Sequence, residues 1–174
     1  MRARRSTFLL LNTVGGIAVL GSYVLWLGSP AHNSQALWGS LGSGARTLYT
    51  ASMLTAAAGY FAFFNVLLRH ELGRLSDDQY AWLQTIFCLI LFPSALWMPL
   101  TYLYLAAPSA AAWWAMRATL FVVAGASYAL VAFLFGVRGT GAPWAHRAAI
   151  VGSLAFTFQT GVLDAFVWPL FFPG

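Results

Sequence analysis

The sequence predicts an all-α fold, an integral membrane bundle of five transmembrane helices. Hydrophobic residues make up 60% of the 174 residues and charged residues only 7%, whereas soluble domains carry about 25% charged residues. Five apolar runs each reach the roughly 20 residues that a helix needs to cross a bilayer. Glycine, proline and polar residues separate these runs, as is typical of links between helices. The whole chain, residues 1–174, is therefore predicted to form a single five-helix transmembrane domain.

The five spans follow one another with short links. The predicted spans lie near residues 8–27, 48–68, 80–105, 113–136 and 148–171. The first run is longer than the ~7–15-residue apolar core of a signal peptide, so we predict that it is retained as a helix. The second link ends in Ser76-Asp77-Asp78-Gln79, which matches a capping box that opens the third helix. Because the links are short, we expect consecutive helices to be antiparallel neighbours.

The arginines predict the orientation in the membrane. The chain has nine basic residues, all of them arginine. Most fall on one side of a chain with five crossings: Arg2, Arg4, Arg5, Arg69, Arg74, Arg138 and Arg147. Basic residues accumulate in cytoplasmic loops, so we predict a cytoplasmic N-terminus and a C-terminus outside. The arginines are spread over several loops and form no basic face, so no nucleic-acid partner is expected.

Two opposite charges interrupt the apolar runs. Asp164 lies well inside the fifth span, and Arg117 lies inside the fourth. At 1.5 Å per residue, Arg117 is roughly 6 Å and Asp164 roughly 9 Å from the outer helix ends. Pairing would lower the cost of removing both charges from water, so we predict an ion pair. Such a pair either locks helices four and five together or lines a polar site.

Aromatic residues concentrate towards the same outer half of the bundle. Trp97 lies between Pro93 and Pro99, and two prolines in one membrane helix remove hydrogen bonds and bend it. Aromatic side chains beside a bent helix and a charged pair favour a pocket for a flat apolar ligand. The candidate ligand-binding residues are Arg46, Tyr49, Trp97, Arg117, Asp164 and Trp168. The alternative is an interfacial belt of aromatic residues beside a simple kink.

Catalytic and metal chemistry find little support in the sequence. It contains no nucleophile motif, metal-ligand spacing or phosphate-binding glycine loop, so we predict no catalytic residue, no metal site and no cofactor. A non-enzyme is therefore favoured. A bound haem would need two axial ligands, and His70 and His146 are the candidates for them. Histidines that lie at the level of the lipid headgroups explain both positions more simply. The single cysteine, Cys88, excludes a disulfide within the chain and is expected to be a buried thiol.

Short strings near the second span and in the fifth form a pattern: Trp38 followed by Leu48-Tyr49, and Leu154–Thr157 followed by Leu163–Trp168. This pattern resembles the TspO family of tryptophan-rich sensory or translocator proteins. Trp38, then Leu48-Tyr49, resembles the Trp and Leu-Tyr pattern that opens helix two in that family. Leu154–Thr157 and Leu163–Trp168 resemble its LAFT and LNxxVW strings, with Asp164 where asparagine is usual. The first loop lacks the family's Lys-Pro and double-Pro signature, and the tail lacks its Tyr-then-Arg motif. The resemblance implies a porphyrin- or sterol-like ligand between the helices below the first loop, in a protein that is often a homodimer.

The sequence thus predicts a membrane protein that binds a small apolar ligand in the outer half of the bundle. Its expected partners are the lipid bilayer and a porphyrin- or sterol-like ligand, with a homodimer or a membrane partner protein. The alternative is a non-catalytic scaffold or assembly subunit, for which small residues recur along helix four at Ala118, Gly125 and Ala132. A transporter has less support, because the apolar runs contain a single acidic residue.

Overall fold

The fold consists of five long helices. The structure, a computed structural model, describes residues 2–28, 34–137 and 143–172. The helices are α1 (Arg2–Leu27), α2 (Ser43–Val66), α3 (Asp77–Ala106), α4 (Ala110–Gly136) and α5 (Pro143–Thr157). A short 3₁₀ helix, Ser34–Trp38, lies in the first link. Within these ranges there is no strand, and all five helices are long and apolar enough to cross a membrane when α2 and α5 are counted together with the turns that continue them, to Glu71 and Leu170, which confirms the predicted fold class.

Two of the helices continue in wider or tighter turns. α2 passes into a π-helical turn at Leu67–Glu71. α5 passes into a π-helix at Phe158–Val167, which is followed by a 3₁₀ turn at Trp168–Leu170. A π turn carries extra residues compared with an α turn, so it changes the direction in which the following side chains point.

Side-chain caps fix where the third and fourth helices begin. The Ser76 hydroxyl accepts from the Gln79 N–H at 3.2 Å, and the Gln79 side chain accepts from the Ser76 N–H at 3.0 Å. This arrangement confirms the predicted capping box. Ser109 caps α4 in a similar way, by accepting from the Ala112 N–H at 3.2 Å. Because these polar caps lie outside the apolar runs, both helices begin earlier than the predicted spans.

The neighbours of each helix differ in part from the expected order. α3 packs between α1 and α4, and α5 packs against α2 and α4. The expectation that consecutive helices are neighbours holds, since α2 contacts α1 through the Tyr60–Asn12 hydrogen bond and α3 through the rings of Phe63 and Phe87. What differs is that the backbone of α2 approaches α5 more closely than it approaches α1 or α3. Aromatic rings fill the space between α1, α2 and α3, where Phe8 contacts Phe64 and Phe87, and Tyr60 contacts Phe87. Rings of this size hold helix backbones apart.

Two glycines allow α2 and α5 to approach closely. A Cβ atom added at Gly59 would lie 2.4 Å from the Gly152 carbonyl oxygen. A Cβ atom added at Gly152 would lie 2.7 Å from the Gly59 carbonyl oxygen. Both distances are shorter than van der Waals contact, so only glycine fits on either side. Small residues at a crossing are the usual means by which membrane helices pack closely.

The buried residues form two main clusters at opposite ends of the bundle. The cluster at the N-terminal end includes Phe8, Phe63, Leu83 and Leu130. The cluster at the other end, which we call the loop-1 end, includes Tyr49, Met116, Ala165 and Trp168. The two clusters place the aromatic candidate residues together and away from the arginine-rich N-terminus.

Large apolar side chains cover the outer surface, as expected for helices that face lipid. Val24, Leu54 and Phe92 are exposed to 71%, 69% and 69% respectively. Cys88 also lies on this surface and is exposed, so the expectation of a buried thiol is wrong. Hydrocarbon can solvate an exposed apolar side chain, and an apolar run in a membrane helix therefore does not imply burial within the protein.

Candidate functional site

The irregular part of helix five supplies the polar residues of the loop-1 end. Gln159 and Asp164 both lie within the π-helix Phe158–Val167, and Trp168 begins the 3₁₀ turn that follows. π-helical segments inside helices are frequent at functional sites. Here the segment directs Gln159, Asp164 and Trp168 towards the cluster of buried residues that contains Tyr49.

Asp164 is held by two hydrogen bonds to one of its oxygen atoms. The Tyr49 hydroxyl donates to Asp164 Oδ1 at 2.5 Å, and Gln159 Nε2 donates to the same atom at 2.8 Å. Tyr49 is 7% exposed and Gln159 is 4% exposed, so both donors are buried. The second carboxyl oxygen, Oδ2, accepts no hydrogen bond from the residues that the structure describes. It is therefore available to a donor that is not part of this chain.

Two further polar atoms close to this cluster lack partners. Trp97 Nε1 and Gln159 Oε1 are buried and make no hydrogen bond within the described ranges. A buried donor or acceptor without a partner costs about 1–3 kcal/mol, and most such groups in proteins are paired. One donor and two acceptors with unused capacity thus occur around Trp97, Gln159 and Asp164.

Aromatic rings surround the polar atoms. The Trp97 ring lies 5.5 Å from the Trp168 ring in an edge-to-face arrangement, and 5.9 Å from the Tyr23 ring. On the other side, the Trp38 ring contacts the Tyr49 ring edge-on at 5.8 Å. The arrangement combines flat apolar walls with a few polar atoms, as small-molecule sites do.

Hydrogen bonds with the end of helix five hold the first link over this end of the bundle. Trp168 Nε1 donates to the Leu37 carbonyl at 2.8 Å, and the Ser40 N–H donates to the Phe171 carbonyl at 2.9 Å. Gly39 has a φ of +51°, and a Cβ atom there would lie 1.9 Å from the Phe171 oxygen. Only glycine fits this turn, because other residues both disfavour positive φ and would clash.

Arg117 does not pair with Asp164, so the predicted ion pair is wrong. Within the described residues the salt bridge joins Arg4 and Asp77 at the N-terminal end. The Arg117 guanidinium lies instead over the Phe121 ring at 4.6 Å and near the Trp113 ring at 6.0 Å. Both rings belong to α4, so cation–π contacts within one helix take the place of the expected carboxylate.

Arg46 also lies apart from Asp164. Its Nε donates to the Leu41 carbonyl at 2.7 Å, and its Nη1 donates to Gln35 Oε1 at 2.6 Å. The structure therefore places four of the six candidate residues together: Tyr49, Trp97, Asp164 and Trp168. We call this group the Tyr49–Asp164 cluster, and Arg46 and Arg117 lie outside it. Tyr23 and Gln159 join this cluster although neither was among the predicted site residues.

Another acidic residue, which is buried, lies at the N-terminal end of the bundle. Glu71 is 1% exposed, and neither of its carboxyl oxygens has a partner in the described part of the chain. The sequence placed it in the polar second link, but the π turn Leu67–Glu71 carries it into the bundle. Leu67, Leu72 and Leu75 around it are all buried, and this leucine spacing was the signal that could have indicated its position.

No metal-binding constellation occurs in the described ranges, where no three His, Cys, Asp or Glu residues lie together. In comparisons with protein-family models, curated proteins and solved structures, no match to the chain is found.

Proposed function

We propose that this membrane protein binds a flat, largely apolar ligand with a polar edge at the Tyr49–Asp164 cluster. The observation that carries the proposal is a pair of buried polar atoms that have no partner among the described residues, Trp97 Nε1 and Gln159 Oε1, beside the Asp164 carboxyl, whose two hydrogen bonds both go to Oδ1. A ligand that accepts a hydrogen bond from Trp97 Nε1 and donates one to Gln159 Oε1 would satisfy two atoms that are otherwise costly to bury, and a second donor on the ligand could bind Asp164 Oδ2. The rings of Trp38, Trp97 and Trp168 would contact its flat faces.

The proposed ligand class is porphyrin- or sterol-like. The resemblance of helices two and five to the TspO family supports this class, and membership of that family is part of the proposal. The polar edge of such a ligand matches the local chemistry, since a sterol hydroxyl both donates and accepts, and a porphyrin carries N–H donors and carboxylate acceptors. The binding protein would act as a receptor or carrier without catalysing a reaction.

Replacing Trp97 by phenylalanine tests the site. We expect this change to keep most of the ring contacts and to remove the Nε1 donor, weakening porphyrin binding about five- to tenfold, which corresponds to one hydrogen bond. The measurement is tryptophan fluorescence quenching during titration of the purified protein with a porphyrin and, separately, with a sterol. Trp144→Phe is the matched control, because Trp144 is 71% exposed and lies near the start of α5 at the opposite end.

Asp164→Asn should also weaken binding, since it exchanges one acceptor oxygen for an amide donor. Quenching that survives Trp97→Phe and Asp164→Asn unchanged would show that the ligand does not bind at this cluster, and the proposal would then be wrong. Loss of quenching in Trp144→Phe to the same extent would place the ligand elsewhere.

We further propose that the N-terminus is cytoplasmic and the C-terminus lies outside. The arginines near the start of α1, the end of α2 and the start of α5 support this orientation. In a Cys88→Ala background, Ala3→Cys should react with a membrane-impermeant thiol reagent only after the cells are opened. Gly174→Cys should react in intact cells. Labelling of both positions from the same side would contradict the five-crossing topology.

A scaffold role is the second candidate. Gly125 on α4 is exposed, and a Cβ atom added there would meet nothing within 4 Å. Ala118 and Ala132 are exposed on the same helix. Open small residues on a membrane helix favour close packing of another helix. If Gly125→Leu abolishes co-purification of a membrane partner while Trp97→Phe has no effect on ligand binding, the scaffold role replaces the receptor role.

A further inference from the structure

A groove runs along the outside of α2 at the loop-1 end. It has a volume of about 530 Å³ and is lined by Gln35, Trp38, Arg46, Thr47, Thr50, Ala51 and Leu54. The lining residues come from the 3₁₀ helix Ser34–Trp38 on one side and the first part of α2 on the other. Trp38 lines the groove, and its ring also contacts the Tyr49 ring of the Tyr49–Asp164 cluster, so it lies between the two sites.

The polarity of the groove changes along the helix axis. Gln35, Arg46, Thr47 and Thr50 lie towards the start of α2, and Ala51 and Leu54 follow deeper in the membrane-spanning part. Arg46 and Leu54 are eight residues apart, which is about 12 Å along an α-helix. Leu54 is 69% exposed, so the deeper end opens onto the surface that faces lipid. A groove with a cationic end and an apolar end is complementary to an anionic amphiphile in the bilayer.

The Arg46 side chain is oriented but retains hydrogen-bonding capacity. Its Nε and Nη1 are engaged by the Leu41 carbonyl and Gln35, whereas Nη2 makes no hydrogen bond with the described residues. None of the described residues that line the groove is acidic, and no acidic residue lies in the first turn of α2. Arg46 therefore supplies an unneutralised positive charge that two contacts hold in place. Guanidinium groups bind phosphate oxygens with short, charge-assisted hydrogen bonds.

We propose that this groove binds a phospholipid, with its anionic phosphodiester on the Arg46 guanidinium and the start of one acyl chain along Ala51 and Leu54. The positive charge at the rim and the apolar surface below it match the two parts of such a lipid. The Thr47 and Thr50 hydroxyls already donate to the Ser43 and Arg46 carbonyls, and their oxygens remain free to accept from a headgroup hydroxyl. A glycerol headgroup offers such a donor, so phosphatidylglycerol is the preferred test lipid.

Native mass spectrometry of the purified full chain tests the proposal. The protein is titrated with dioleoyl phosphatidylglycerol, and the first binding event is compared between wild type, Arg46→Gln and Arg147→Gln. We expect Arg46→Gln to weaken that event roughly tenfold, because a charge-assisted contact is lost. Arg147→Gln, at an exposed position near the start of α5, should bind like wild type. Equal binding by Arg46→Gln and wild type would overturn the proposal, and so would an equal loss in Arg147→Gln.

A second variant and two further probes distinguish a phospholipid from an apolar chain or a free anion. Ala51→Trp fills the groove without changing Arg46, and this variant should also lose most of the binding. It tests the groove independently, in case Arg46→Gln weakens binding only by disturbing the first link. Dioleoylglycerol, which lacks the phosphate, should bind at least about fivefold more weakly than phosphatidylglycerol, because it cannot make the charge-assisted contact. If it binds equally well, the groove takes apolar chains only. If millimolar inorganic phosphate displaces the lipid, the site is one for a free anion. Either result would overturn the proposed lipid site.

Discussion

Replacing Gly152 by alanine is expected to destabilise the bundle strongly, and replacing it by leucine more so. The added Cβ atom would lie 2.7 Å from the Gly59 carbonyl oxygen and 3.1 Å from Gly59 Cα. These are backbone atoms of a helix, so they cannot rotate away as a side chain would. α2 must instead move away from α5, its main neighbour. We expect Gly152→Ala to cost about 1–3 kcal/mol, the usual cost of overpacking a close contact, and Gly152→Leu to cost more.

The measurement is unfolding of the purified protein in mixed micelles with increasing denaturing detergent. Gly125→Ala is the matched control, because an added Cβ atom there would meet nothing within 4 Å and the helical site is exposed. Alanine is the better helix former by about 1 kcal/mol, so the control should be neutral or stabilised. Equal losses at Gly125 and Gly152 would show that a general effect of replacing glycine, and not the α2–α5 contact, determines the result.

The five helices could be predicted because the bilayer imposes them on the sequence. A span must be about 20 residues long, and its backbone must satisfy its own hydrogen bonds, so hydropathy and length suffice to locate the helices. The capping box at Ser76 and Gln79 was equally predictable, because it depends only on residues close in sequence. Helix starts were less predictable, since polar first turns such as that of α3 do not belong to the apolar run.

The arrangement of the helices could not be predicted in the same way. Hydropathy does not identify which side of a helix faces a neighbour, because lipid and protein interior are both apolar. Leu54 and Leu83 are both apolar residues in predicted spans, yet Leu54 is 69% exposed and Leu83 is 0% exposed. The α2–α5 contact depends on Gly59 and Gly152, which lie in non-consecutive spans. Link length limits which helices can meet but does not choose among them.

Part of the candidate site followed from residue type and depth. Tyr49, Trp97, Asp164 and Trp168 were selected as polar or aromatic residues near one membrane face, and the structure places them together. Gln159 was not selected, since a single glutamine in a span has many structural uses. It reaches Asp164 because both lie in a π-helix, and a π-helix has no reliable sequence signal.

The Arg117 prediction failed because similar depth does not mean contact. Two side chains on neighbouring helices meet only when the rotation of each helix brings them to the same side. The rings of Phe121 and Trp113 provide Arg117 with a nearby partner on its own helix, four residues away in each direction. The sequence contained these rings, and their i±4 spacing was the signal for the contact that forms.

Removal of the Tyr49–Asp164 hydrogen bond is expected to have the second large effect. Tyr49→Phe would leave Asp164 Oδ1 with Gln159 as its one donor in the described part of the chain. Asp164→Leu would leave both the Tyr49 hydroxyl and the Gln159 amide without their acceptor. Each single variant should therefore lose about 1.5–3 kcal/mol of stability in the same unfolding assay, the value of a hydrogen bond to a charged group.

The double variant Tyr49→Phe/Asp164→Leu should lose less than the sum of the two single losses. In the double variant the donor and the acceptor are removed together, so the Tyr49 hydroxyl is no longer buried without a partner. Residues in contact usually show coupling of about 0.5–3 kcal/mol, which this assay can resolve.

The matched comparison is Arg117→Gln/Asp164→Leu. Because Arg117 contacts rings of α4 and not Asp164, the losses in that pair should be additive within about 0.5 kcal/mol. Coupling in the Arg117 pair and additivity in the Tyr49 pair would mean that helices four and five are joined by the ion pair after all, and that Tyr49 is free to contact a ligand by itself.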